Sequence, residues 1–356
     1  MNKVAQMLKK VGAAFGAGCA SIFRAFPRGA KGVKLASALM LLLLLGLGGL
    51  GWYWSREPLA FDVRASPALF KSTQGRNVVT GSVTTATLIQ VGETLLDKPG
   101  GYLSNDRTPP SIFLDNMPNW EFGVLVQVRD LTRSLRNDLS RSRTQSLENP
   151  SLAAAEPLFN YDNNSWVLPA SESQYREALS HLHTYIQGLS QQQNPDTQFY
   201  ARADNLRDYL TIVEKRLGGL SQRLSASVGP TRVNIDLAGD PNAGQSTRPA
   251  VTRGHKTPWL ELDDVFYEAR GSTWALIHFL KAIEVDFADV LEDKNAKALL
   301  QQIILELEAT QQPVWSPMIL NGNGFGFFAN HSLVMASYIS RANAALIDMR
   351  ALLTDG

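Results

Sequence analysis

The chain has 356 residues, of which 44% are hydrophobic and 19% charged, and its formal net charge is +1. Residues 1–55 contain seven Lys and Arg and no Asp or Glu, so residues 56–356 contain 27 cations and 33 anions and carry a net charge of −6. With 27 glycines and 17 prolines the chain is neither collagen-like nor wholly disordered. The net negative charge of residues 56–356 makes nucleic acid an unfavourable ligand for the body.

A basic lead, residues 1–34, opens the chain. Its apolar residues recur at spacings of three and four, a pattern typical of one face of an amphipathic helix. Most of the cations lie off that face, so we expect the helix to lie along the anionic inner leaflet of a membrane. The apolar positions are Val4, Leu8, Val11, Phe15, Gly18, Ile22 and Phe26, and the cations are Lys3, Lys9, Lys10 and Arg24.

An uncharged segment follows at residues 35–54. Its twenty residues match the length that a helix needs to cross a bilayer. Trp52, Tyr53 and Trp54 close the segment with aromatic rings of the kind that settle among lipid headgroups. Because flanking cations stay in the cytoplasm, the basic lead predicts a cytoplasmic N-terminus and an exported body.

Two other interpretations of the N-terminus are a cleaved signal peptide and a lipoprotein signal that ends at Cys19. The long lead and the bulky aromatic cluster argue against the first, and the short apolar stretch before Cys19 argues against the second. In the anchor interpretation Cys19 is cytoplasmic, and the exported body contains no cysteine and therefore no disulfide.

The body is predicted to be an all-α bundle with long ordered loops, preceded by the amphipathic helix and a single transmembrane helix. Apolar spacings of three and four predict about seven helices, and Ser171 is placed to cap the third. The clearest stripe is Leu206, Leu210, Val213, Leu217, Leu220 and Leu224. The predicted helices span residues 81–97, 118–143, 175–189, 206–224, 263–291, 295–311 and 332–353.

A Gly- and Pro-rich segment, residues 229–258, interrupts the helical pattern. It either joins two helical lobes or loops out of one. Within it Val233, Ile235 and Leu237 alternate with polar residues, so we expect one short strand. The resulting divisions are residues 1–34, 35–54, 55–228, 229–258 and 259–356.

The loop at residues 97–123 is the first candidate site, because it is long and rich in Pro, Gly, Asn, Asp and aromatic residues. Asp106, Asp115 and Glu121 are candidate acids or bases, and Trp120 is a candidate platform for stacking a sugar. The alternative is a packed loop in which Asp and Asn side chains make turns and helix caps.

A second loop at residues 313–332 contains Asn321-Gly322-Asn323-Gly324. This run predicts the tip of a hairpin between residues 317–320 and 325–328. The alternative is an anion-binding turn at Asn321 and Asn323, before the last helix.

Arg129, Arg133 and Arg136 fall at i, i+4 and i+7 of one predicted helix. Such a stripe would bind anionic headgroups or glycan phosphates, or else form a solvated face paired with nearby acids. His181 and His183 lie two residues apart and so point to different sides of a helix. The sequence therefore predicts no metal site, and it suggests no cofactor.

Two runs of residues resemble a known family. They are LLDKPGGYLSND at residues 95–106 and LDNMPNWEFG at residues 114–123. Both resemble the domain-of-unknown-function family 2333 of proteobacterial envelope proteins, and the resemblance covers most of the chain, including the lead and the anchor. It implies a bacterial inner membrane and periplasm, and it carries no activity or catalytic residue to this chain.

Together these features predict a bitopic inner-membrane protein with a periplasmic helical scaffold or interaction domain for cell-envelope assembly or maintenance. Its expected partners are the lipid bilayer and either an envelope protein or a second copy of the chain, and not nucleic acid. One alternative is an envelope enzyme that acts on peptidoglycan or glycan with the loop carboxylates. Another is a membrane-anchored sensor that signals through the N-terminal helix.

Overall fold

The computed structural model describes residues 30–73, 78–142, 147–191, 197–229, 231–233, 251–253, 256–323 and 326–354. The chain divides into two compact units, Met1–Tyr53 and Trp54–Gly356. Residues 1–29 of the predicted amphipathic lead lie outside the described residues.

The first described element is helix α1, Ala30–Trp54, which contains the whole predicted span. Its most apolar 18 residues have a mean hydropathy of 2.1, and its 25 residues extend about 37 Å. By length and composition this helix fits a membrane anchor and a signal sequence equally well.

The described part of the second unit is built from ten further α-helices, which confirms the all-α prediction. A π-helical turn, Leu135–Leu139, continues the third of them. The helices are α2 (Pro67–Thr73), α3 (Ser82–Asp97), α4 (Asn116–Ser134), α5 (Pro150–Phe159), α6 (Ser171–Ser190), α7 (Ala203–Ser225), α8 (Leu262–Asp286), α9 (Ala288–Asp293), α10 (Lys297–Ala309) and α11 (His331–Thr354).

Three details differ from the predictions. The helix predicted at residues 263–291 breaks at Phe287 into α8 and α9. Helices α2 and α5 were not predicted, because seven and ten residues are too few to show a period. Ser171 does not cap α6: Ala170 is the cap residue, and the Ser171 hydroxyl donates to the carbonyl oxygen of Asp162 at 2.7 Å.

The segment predicted to contain one strand, residues 229–258, contains two short strands that pair as a hairpin. Strand β1, Thr231–Val233, pairs antiparallel with β2, Val251–Arg253. Ile235 and Leu237, which were expected to continue β1, lie outside the described residues. The helices before and after this hairpin belong to the same compact unit, and α8 packs closely against α4. The division at residues 229–258 stays a prediction.

Helices α4 and α8 cross with their backbones in contact at two glycines. A Cβ at Gly123 would overlap the carbonyl oxygen of Glu268, and a Cβ at Gly271 would overlap that of Trp120. Only glycine therefore lets the two helices approach this closely. The predicted leucine stripe of α7 is buried throughout, and α7 packs along α11.

Replacing Gly271 by Ala is expected to force α4 and α8 apart and to lower the free energy of unfolding by about 3 kcal/mol. Gly219→Ala is the matched control, because Gly219 lies in α7 and a Cβ at this position would have no atom within 4 Å. That change should stabilise the protein by roughly 1 kcal/mol through helix propensity. Urea unfolding of the full chain in detergent measures both, and equal effects at the two positions would contradict the close crossing.

Candidate functional site

Glu121, a predicted acid or base, holds the loop that precedes it. Its carboxylate pairs with the Lys98 ammonium, accepts the backbone N–H groups of Leu103 and Ser104 at 2.8 Å each, and accepts the Ser104 hydroxyl at 2.5 Å. The Lys98 and Glu121 side chains are both almost wholly buried. The structure thus leaves the carboxylate no face open to a substrate.

Trp120, the predicted sugar platform, has no exposed surface. Its indole ring packs against Trp274 with the ring centroids 5.2 Å apart. A sugar cannot stack on a ring that is enclosed in the core, so the structure corrects the role expected for Trp120.

Asp106 and Asp115 are the other two candidate carboxylates. Burial raises the pKa of the half-buried Asp106. Asp115 caps α4 by accepting the Asn116 N–H at 2.9 Å. Their roles as acid or base stay predictions.

The structure brings Asp115 close to Asp263 and Asp264 at the start of α8. Burial, together with the charges of Asp263, Asp115 and Glu261, raises the pKa of Asp264 to about 6. Asn119 Nδ2 donates to the Asp264 carboxylate at 2.7 Å. Asp264 was not predicted as a site residue, because nothing in the sequence of α8 shows that the loop before α4 lies beside it.

The loop that follows α3 is bonded to the loop between α5 and α6. Asn105 Nδ2 donates to the carbonyl oxygen of Ser165 and to Glu172, at 2.7 Å each, and the Tyr102 hydroxyl donates to the carbonyl oxygen of Asn163 at 3.0 Å. This is the arrangement of the packed-loop alternative. It also fixes the frame of an apolar loop, Trp166-Val167-Leu168, whose side chains are 53%, 61% and 96% exposed.

The arginine stripe is largely engaged within the protein. Arg129 donates to the carbonyl oxygens of Phe159 and Tyr161 at 2.7 and 2.8 Å, at the end of α5. Arg136 forms ion pairs with Glu148 and Glu156 at 2.7 and 2.6 Å. Arg133 is exposed between them. Two of the three guanidinium groups thus bind protein oxygens, and the binding role of the stripe stays a prediction.

The second loop contains a hairpin pairing, although at a different register from the prediction. Asn321 bridges antiparallel to Asn330, and Gly322 N–H donates to the carbonyl oxygen of Ala329 at 2.9 Å. Asn321 Nδ2 donates to the carbonyl oxygen of Ser227 at 2.8 Å. Asn323 is exposed near the tip. Anion binding at Asn321 and Asn323 stays a prediction.

A strap of residues 55–62, directly after α1, is bound to the middle of α8. The buried Arg270 guanidinium pairs with the Glu57 carboxylate, with Nε to Oε1 at 2.8 Å and Nη2 to Oε2 at 2.5 Å. Its Nη1 donates to the carbonyl oxygens of Thr310 and Gln312 at 3.1 and 2.8 Å. Arg270 therefore joins the strap, α8 and the chain after α10. Arg270 was not predicted as a site residue, although a charged residue within the apolar run of α8 could have drawn attention to it.

A buried histidine fastens the strap a second time. His278 Nε2 accepts the Phe61 N–H at 3.0 Å, and Nδ1 lies 2.7 Å from the carbonyl oxygen of Trp274. The Phe61 ring stacks on the imidazole with centroids 4.1 Å apart. Burial lowers the pKa of His278 to about 4, so the ring is neutral and accepts the Phe61 N–H at ordinary pH.

Two cavities flank Arg270. One of about 310 Å³ lies against Phe266, Trp315, His331 and Tyr338, and another of about 480 Å³ lies under the strap. Within the described residues no group of three or more His, Cys, Asp or Glu is placed to hold a metal ion.

Replacing Glu121 by Gln is expected to lower the free energy of unfolding by about 3–5 kcal/mol, because the buried Lys98 ammonium loses its counter-charge. Asp97→Asn is the matched control, since Asp97 and its partner Arg176 are 57% and 56% exposed. That change should cost under about 1 kcal/mol. Thermal or urea unfolding of the full chain measures both, and a neutral Glu121→Gln would show that the pair does not hold the loop.

The His278 contact predicts a pH dependence of stability. The pKa of His278 in the folded state, about 4, lies below its ordinary value of 6.5, so the contribution is complete above pH 6.5 and is lost as the pH falls toward 4. The loss should reach about 3 kcal/mol. The free energies of unfolding of the wild type and of His278→Gln are measured with urea from pH 7 to pH 4. Their difference reports on His278 alone, because the carboxylates that also titrate in this range are common to both proteins. Parallel curves for the two proteins would refute the assignment.

Comparison with protein families agrees with the motifs of the first loop. Residues 28–356 match the model of a family described as an uncharacterized protein conserved in bacteria, DUF2333. The resemblance was expected to include the basic lead, but residues 1–27 of that lead lie outside the match. No curated protein and no solved structure matches the sequence. Because the match covers most of its length, the chain belongs to the bacterial DUF2333 family.

Proposed function

We propose that the protein is a bitopic protein of the bacterial inner membrane whose periplasmic helical body is an interaction module in cell-envelope assembly or maintenance. In this proposal α1 is an uncleaved anchor with its N-terminus in the cytoplasm. The strap supports retention of the chain from Glu57 onward, because a cut after Glu57 would leave Arg270 buried without its carboxylate.

The apolar loop Trp166-Val167-Leu168 carries the proposal. Ser165 and Ser171 hold its two ends together, with Ser171 N–H donating to the carbonyl oxygen of Ser165 at 3.0 Å. Leu168 has φ 63°, a left-handed conformation that costs a non-glycine residue about 1–2 kcal/mol. A fixed frame thus holds a Trp and a Leu out in solvent, which is the arrangement of an anchor for a protein partner.

An envelope enzyme is the second candidate, and the acidic group around Asp264 favours it. A carboxyl group whose pKa is raised to about 6 can donate a proton near neutral pH, and Asp115 is a second carboxyl group nearby. Peptidoglycan or another glycan is the substrate class that such a pair would serve. The loop carboxylates predicted for such an enzyme were Asp106, Asp115 and Glu121, and Asp264 is an additional candidate beside Asp115.

A photo-crosslinking residue at position 167 of the full chain is expected to capture an envelope protein or a second copy in living cells. The crosslink should disappear in Trp166→Ser with Leu168→Ser, because the two anchoring side chains are gone. Asp264→Asn is the matched polar control and should leave it unchanged. A crosslinker at Leu147, which is 96% exposed, controls for chance encounters.

No specific crosslink at position 167 would contradict the interaction module. If Asp264→Asn instead abolished complementation of a deletion strain, while the Trp166 and Leu168 changes had no effect, the enzyme would be the better account. Circular dichroism of each variant checks that it is folded.

A further inference from the structure

The cavity of about 310 Å³ is lined by α8, by α11 and by the chain that follows α10. Four rings face it, those of Phe266 in α8, of Trp315 in the chain after α10, and of His331 and Tyr338 in α11. Ligand pockets have volumes of about 300–1,000 Å³, so this cavity has room for a small ligand. We call it the aromatic pocket.

Trp315 is an exposed indole on a segment that is held in place. Its side chain is 93% exposed and lines the pocket. The residues before it are fixed, because the Gln312 carbonyl oxygen accepts Arg270 Nη1 at 2.8 Å and Val314 packs against the core. An indole on such a segment can offer a face to a ligand at little further cost in conformational entropy.

His331 brings a hydrogen-bond donor to the pocket. The Leu320 N–H donates to its Nδ1 at 3.2 Å, so the neutral imidazole carries its proton on Nε2. Burial lowers the pKa of His331 below its ordinary value of 6.5, which keeps the ring neutral at pH 7. Within the part of the chain that the structure describes, no protein acceptor bonds to Nε2. The Nε2–H group can therefore donate to a ligand.

The charges at the pocket favour a neutral ligand. Among the described lining residues only Arg270 is charged at pH 7, and its guanidinium is already bonded to Glu57 and to two carbonyl oxygens. It is therefore not free to bind an anion. The same guanidinium lies 5.9 Å from the centroid of the Phe266 ring, and that of Arg341 lies 4.6 Å from the centroid of Tyr338. These two positive charges disfavour a cation on the same rings.

We propose that the aromatic pocket binds a neutral saccharide of one or two rings, with Trp315 stacked on a sugar face and His331 Nε2 donating to a sugar oxygen. A sugar ring combines a C–H face that can lie on an indole with oxygens that accept N–H groups. A purely apolar ligand would bury the His331 N–H without an acceptor, which lowers its affinity. This site is additional to the proposed interaction module, and it depends on neither residues 166–168 nor Asp264.

Ligand-observed NMR titration of the full chain in phospholipid nanodiscs, which carry no sugar headgroups, tests the pocket. The probes are glucose, N-acetylglucosamine, cellobiose and N,N′-diacetylchitobiose. We expect at least one of them to bind, and we expect Trp315→Ala to weaken that binding about tenfold, because the stacking face is gone. Trp259→Ala is the matched control and should leave the affinity unchanged, since Trp259 is 68% exposed and does not line the pocket.

His331→Asn is the second variant. Its Oδ1 can still accept the Leu320 N–H, but no atom replaces Nε2, so the affinity for the sugar should fall roughly two- to tenfold. Thermal unfolding of each variant checks that it is folded. Failure of all four sugars to bind overturns the proposal, and so does sugar binding that Trp315→Ala leaves unchanged. Binding of indole without binding of any sugar would assign the pocket to an apolar aromatic group, which also overturns the proposal.

Discussion

The buried guanidinium of Arg270 joins three segments that are far apart in the sequence. Glu57 is 213 residues away from it, and the carbonyl oxygens of Thr310 and Gln312 follow α10. A buried guanidinium is stable only when its charge is matched and its N–H groups are bonded, so these partners must be present for α8 to sit where it does. The position of the strap and the path of the chain into the last loop both follow from this requirement.

The crossing of α4 and α8 supplies the rigid frame behind this junction. Gly123 and Gly271 let the two backbones touch, which places Trp120 against Trp274 and fixes the helix that carries both Arg270 and His278. The strap then lies on a part of the core that cannot shift easily.

The long helices could be predicted from the sequence, because each buries one apolar stripe and the stripe repeats at the helical period. The stripe of α7 is the clearest case, with Leu206 and Leu224 both fully buried. The loops have no such period. Glu121 looked like a catalytic carboxylate because the sequence does not show that Lys98 is buried beside it. The pairing of Glu57 with Arg270 depends on long-range packing, and three apolar residues at 166–168 have no pattern that distinguishes a core loop from an exposed one.

The strap is part of the folded body and not a loose linker after α1. The backbone N–H of Phe61, which donates to His278 Nε2 at 3.0 Å, reports on it directly. Hydrogen exchange of the full chain in nanodiscs should show this amide protected to the same degree as the interior amides of α8. Exchange at the rate of an unstructured peptide would contradict the account, because the strap would then not be bound to the body.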